Sequence, residues 1–194
     1  MATRRFTREE LQSFRGMEVP DLLPADRAPV RLLFVGINPG LWTAATQTHF
    51  AHPVNRFYPA LHKAGISEHA ISPTGMSDQD RAHLLARGIG ITNLVARATA
   101  RADELTKDEL REGGERLRET VRQVRPEVVA VAGITAYRSA FGLRGAVAGR
   151  QPEPFEGAVL WVVPNPSGLN AHETVDTLAR AYAEPAREAG VLPS

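Results

Sequence analysis

Four short apolar runs punctuate the chain, at residues 30–35, 88–92, 127–132 and 158–163. Each is bounded by Gly or Pro, rich in β-branched residues and nearly continuous rather than alternating. That pattern predicts strands buried on both faces, as in a parallel sheet. Helical patterns separate them, at residues 55–64, 78–86, 107–124, 134–141 and 173–184. Over 107–124 the apolar positions 110, 117, 121 and 124 fall on one face. Gly113 and Gly114 interrupt that pattern. Each costs about 1 kcal/mol in an exposed helix, so close packing or a break is expected there. Strands alternating with helices predict an α/β fold with a parallel sheet covered on both sides.

Residues 1–28 carry mixed charge and prolines at 20 and 24. Thr7 followed by Glu10 reads as a capping box that opens a short helix, and a linker through Pro24 follows. A single domain is expected over 29–194. Residues 144–154 are rich in Gly and Pro and read as a loop, and the chain shows no internal repeat or low-complexity segment.

Composition narrows the classes. With 194 residues, 43% hydrophobic and 23% charged, the chain can bury a core of its own. No apolar run approaches the ~18 residues of a membrane helix. Residues 1–5 are basic, but no hydrophobic stretch follows, so a secretory signal is not expected and the cytosol or a bacterial nucleoid is. The absence of cysteine excludes disulfides, thiol nucleophiles and Cys-type metal sites. The net charge of +1 allows a local basic face without the excess of a non-specific DNA coat. Only Lys63 and Lys107 could supply a Schiff-base amine.

Ligands of open α/β sheets bind beyond the carboxyl ends of the strands. Two such ends carry Asn-Pro turns: Gly36-Ile-Asn-Pro-Gly-Leu41 and Pro164-Asn-Pro-Ser-Gly-Leu169. Either alone reads as a tight turn; their matched placement points to a shared site. Neither is a phosphate-binding glycine motif, so no nucleotide cofactor is expected. His49 and His52 lie close, but no His-x-x-x-His pair with an acidic partner occurs, and no metal is expected. His62, His69 and His83 read as solvated, and His172 as touching DNA or water. Ser167 is not in a G-x-S-x-G context; it either caps the following helix or binds a phosphate.

These motifs, with Phe50-Ala-His-Pro-Val-Asn-Arg-Phe57, Gly90-Ile-Thr-Asn-Leu-Val95 and the segment 109–117, resemble the mismatch-specific uracil-DNA glycosylases, relatives of thymine-DNA glycosylase. The resemblance spans about residues 30–184. It implies a three-layer α/β/α domain around a short parallel sheet, and an enzyme that flips uracil or a related base from a mismatch and hydrolyses its glycosidic bond. The partner is then double-stranded DNA with a G:U or similar mismatch, and a monomer suffices. By this resemblance Asn38 holds the attacking water, and Ile37 offers its backbone N–H to the flipped base. The turn through Gly40 supplies further donors, and Phe50 stacks on the base. Asn165, Ser167 and Gly168 grip the DNA, with Asn170 and Ala171 beside them, and Leu169 fills the vacated stack. Asn93 stands where a well-known member has Lys, and Asn170-Ala171 where it has Ser-Arg.

The residues keep alternatives open. Leu169 is a wedge or a core residue opening the last helix. Phe50 stacks on a base or packs in the core, and its polar surroundings at 46–49 favour the first. Asn93 holds a second water, reads a base edge, or ends its strand. A non-catalytic mismatch sensor and a nucleoside hydrolase are the other functions to weigh.

Overall fold

The computed structural model describes residues 6–193. The four apolar runs form β1 (Leu32–Gly36), β2 (Ile89–Asn93), β3 (Val128–Ala132) and β5 (Val159–Val163), with a two-residue β4 (Gly149–Arg150) between the last two. Among the described residues these make one sheet, ordered β2-β1-β3-β5-β4. β1 runs parallel to β2 and β3, and β3 to β5; only β4 is antiparallel.

Every residue of β1, β2 and β3 is buried, which accounts for their continuous apolar runs. Successive side chains serve opposite faces. Leu32 and Phe34 join a core with Phe57, Leu61, Leu84, Leu178 and Tyr182. These come from α3 (Phe57–Lys63), α4 (Asp78–Ala86) and α7 (Val175–Glu188). Leu33 and Val35 join the other core with Leu117, Val121, Tyr137 and Ala140, from α5 (Lys107–Val124) and α6 (Ile134–Phe141). The result is the expected α/β/α sandwich.

Of the two outcomes expected at the glycine pair, close packing is the one found: both glycines are buried within α5, and a Cβ at Gly113 would collide with the Leu94 carbonyl and one at Gly114 with that of Ala140. Several other details differ from the sequence reading. α7 begins under a Thr174 cap rather than at 173, so Ser167 does not cap it. It also continues through Pro185 to Glu188, because burial of Pro185, Ala186 and Ala189 offsets the one helical hydrogen bond that proline removes. The loop over 144–154 contains β4. The turn after β1 leads straight into an unforeseen helix, α2 (Leu41–Thr46), whose Leu41 and Ala44 pack with Val19 and Ala98.

The capping box at Thr7 opens α1 (Arg8–Gln12) as expected. The segment read as a linker lies along the outer edge of β2: Leu22 and Ile91 exchange both backbone hydrogen bonds, at 2.8 and 3.0 Å. That contact covers an otherwise open strand edge. From β1 the chain visits β2 on one side and then crosses to β3 on the other, leaving a crevice beyond the carboxyl ends of β1 and β3.

Candidate active site

A cavity of about 390 Å³ fills that crevice. All the expected site residues line it except Asn170 and Ala171: Ile37, Asn38 and Gly40 after β1, Phe50 after α2, Asn93 at the end of β2, and Asn165, Ser167, Gly168 and Leu169 after β5. Volumes of this order suit a small planar ligand. The two Asn-Pro turns therefore face one space.

Backbone pairing pulls the first turn against the segment after β2. Leu94 donates to the Gly36 carbonyl, Val95 to that of Ile37 and Thr99 to that of Pro39. This puts the Asn38 amide nitrogen within reach of three acceptors, the Pro39 and Arg97 carbonyls at 3.1 Å and Thr99 Oγ1 at 2.7 Å. Thr99 donates its own hydroxyl to the Arg101 carbonyl, so its oxygen is free to accept. With Nδ2 so occupied, the orientation of the amide is fixed and Oδ1 is left to accept from a ligand or water in the cleft. Arg97 is pinned in turn by a two-pronged contact to Glu109, whose carboxyl is held down at about 2 chiefly by that hydrogen bond. Among the described residues, the Ile37 and Asn38 backbone N–H groups have no acceptor within the protein.

Phe50 has a left-handed backbone, φ 57°, that few non-glycine residues adopt. Its ring stacks on Phe57, centroids 4.0 Å apart, while still lining the cavity, so it joins core to cleft. Asn93 is the last residue of β2 and only 8% exposed. The space a Cβ at Gly36 would need is taken by Asn93 Oδ1 and the edge of the Phe50 ring. Asn93 Nδ2 points the other way, 2.9 Å from Nδ1 of the buried His49.

The second turn is held from outside. Arg56 donates to the carbonyls of Ser167, Asn170 and Glu173, three points on one loop. Inside the loop Asn165 Oδ1 accepts from the Ser167 N–H, and Asn170 Nδ2 donates to the Asn165 carbonyl. Asn170 thus shapes the loop rather than facing the cavity, and Ala171 is exposed beyond it. Leu169 is 88% exposed at the loop tip and packs in no core. Val54, 58% exposed, stands beside Gly168, where a Cβ would strike its side chain.

Sequence reasoning missed His49 as a partner of Asn93, Thr99 as a partner of Asn38, and Arg56 as the loop clamp. None belongs to a local motif whose chemistry names that job; each acts across a turn that only the fold closes. Of the histidines read as solvated, His62 and His69 are exposed, though His69 contacts Asp80 at 2.8 Å, and the half-buried His83 accepts from the Glu68 N–H. Neither Lys63, paired with Asp176, nor Lys107 lines the cleft. Among the described residues no group of three His, Asp or Glu gathers as metal ligands, and no helix is long and apolar enough to cross a membrane.

The model of the uracil DNA glycosylase superfamily matches residues 25–186, a span that takes in every strand, both Asn-Pro turns and all the cleft residues from Ile37 to Leu169. The chain belongs to the uracil DNA glycosylase superfamily.

Proposed function

We propose that this DNA glycosylase flips uracil, and related bases such as thymine, out of mismatched duplex DNA and hydrolyses the N-glycosidic bond. It works as a monomer and without a cofactor, and leaves an intact abasic site for base excision repair. The observation that carries this reading is the Asn38 amide, which lines the cleft with its nitrogen spent on Pro39, Arg97 and Thr99, so that its oxygen is the end left to accept from a water.

Extrusion costs a few kcal/mol and least at a mismatch. Leu169, exposed at the loop tip, offsets part of that cost by entering the gap in the stack. The flipped ring lies on Phe50, with its polar edge toward Asn93. As the bond to the sugar breaks, negative charge spreads over the pyrimidine oxygens, and the unpaired N–H groups of Ile37 and Asn38 are donors already in place for it. Positive charge builds on the sugar, which then needs a water held at its open face. Asn38 Oδ1 orients that water without being a strong base, so turnover is slow.

The test is a duplex oligonucleotide with one uracil opposite guanine, incubated with enzyme and split with hot alkali. Strand cleavage only after alkali, unaffected by EDTA and with no adduct trapped by borohydride, is expected. An intact strand after alkali would leave a binding protein, and a trapped adduct would bring a lysine into the mechanism.

A further inference from the structure

His49 is 1% exposed and lies behind the cleft, not in it. Its Nε2 is 2.8 Å from the Pro20 carbonyl, which can only accept, so Nε2 carries the proton. Burial opposes a second proton on the ring. Nδ1 is therefore a bare acceptor, and the group facing it at 2.9 Å must be the Asn93 NH2. This fixes the other end of the amide: Oδ1 is turned to the space over Gly36, beside the edge of Phe50. The anchor of the chain of bonds, Pro20, is held by the neighbouring Leu22–Ile91 pairing on β2, the same strand that ends at Asn93.

From this geometry we infer that His49 is a positioning residue for base selection: the Pro20 carbonyl sets its tautomer, the tautomer sets the Asn93 amide, and the pocket thereby accepts a base with a ring N–H donor and rejects one with a bare ring nitrogen. The inference rests on the glycosylase reading above. Uracil and thymine offer N3–H to Asn93 Oδ1. Cytosine offers the N3 lone pair, and two acceptors then face each other in a buried site. Pro20, which does not line the cleft, thereby acts on specificity through His49.

Single-turnover excision of 5-fluorouracil and 5-fluorocytosine, both with fluorine-weakened glycosidic bonds, gives a measurable ratio. In His49→Leu and His49→Gln the Asn93 amide is free to rotate, and the ratio should fall roughly tenfold to hundredfold. Gln places an amide near the Pro20 carbonyl but no acceptor at Nδ1. Asn places its own oxygen near Nδ1, so His49→Asn should keep most of the ratio. An unchanged ratio in Leu and Gln, or equal losses in all three that follow only their melting temperatures, overturns the inference. Long-range ¹⁵N–¹H spectra of the wild type should show His49 protonated on Nε2 alone; an Nδ1–H form at neutral pH overturns it independently. A wild type inert on uracil would sink the glycosylase reading, whereas the spectrum would still decide the relay.

Discussion

Truncating Leu169 to alanine separates extrusion from folding and from chemistry. The side chain is 88% exposed and joins none of the three cores, so its loss in the free protein should change stability by no more than about 0.5 kcal/mol. On the proposed mechanism the same side chain moves from water into the base stack in the complex. Burying a leucine is worth about 1.5–3 kcal/mol. That is roughly a tenfold to 150-fold shift in the extrusion equilibrium. The full loss should appear where the uracil is paired with adenine and firmly stacked, a smaller loss opposite guanine, and almost none in a single strand, where no gap needs filling. Single-turnover rates of wild type and Leu169→Ala on the three substrates, with a melting curve for each protein, measure all of this. An equal fractional loss on all three, with a clearly lower melting temperature, would show that the residue supports the fold or the chemistry rather than the flip.

Asn38→Ala should lower excision by about 100-fold while binding to mismatched DNA stays near the wild-type value, because water orientation acts on the chemical step alone; parallel losses in both would place Asn38 in recognition. Arg56→Lys cannot span the carbonyls of Ser167, Asn170 and Glu173, and charged hydrogen bonds of this kind are worth about 1.5–3 kcal/mol. Hydrogen exchange over residues 165–173 should quicken and duplex excision should fall more than single-strand excision; unaltered exchange would refute the clamp. His49, His52 and His83 are all held below the usual histidine value, by burial first in each case, with Asp21 opposing and Arg81 reinforcing the effect at His49. The unfolded chain then binds more protons than the folded one below about pH 6.5, so stability is complete above that value and is lost as pH falls through it. Melting temperature should drop between about pH 7 and pH 5, less steeply in His49→Asn; a flat profile contradicts the assignment.

The fold was legible because its signals are local. A strand buried on both faces needs an unbroken apolar run, and Leu32 to Val35 supply one whatever the rest of the chain does. A helix on a sheet face needs one apolar stripe, and α5 shows it at Leu117 and Val121. The elements that escaped are those without room for a period: α2, six residues long, and β4, two. The ends of α7 escaped for a different reason, since tertiary burial of Pro185 and Ala186 outweighs the local rule that proline stops a helix.

The lining of the site was legible, but the roles of its polar tips were not. Asn38, Asn93 and Asn165 stand in turns or at strand ends, where a sequence can mark them, but what an asparagine does depends on which end of its amide faces the ligand. That choice is made by atoms distant in sequence: Thr99 and the Arg97 carbonyl for Asn38, and His49 with Pro20 behind it for Asn93. For an amide the two faces differ by donor against acceptor, and uracil and cytosine differ in the same way at N3. If the amide of Asn93 reads the base as inferred, a substitution at His49, which lies outside the cleft, should alter the base recognised while every residue lining the pocket stays the same.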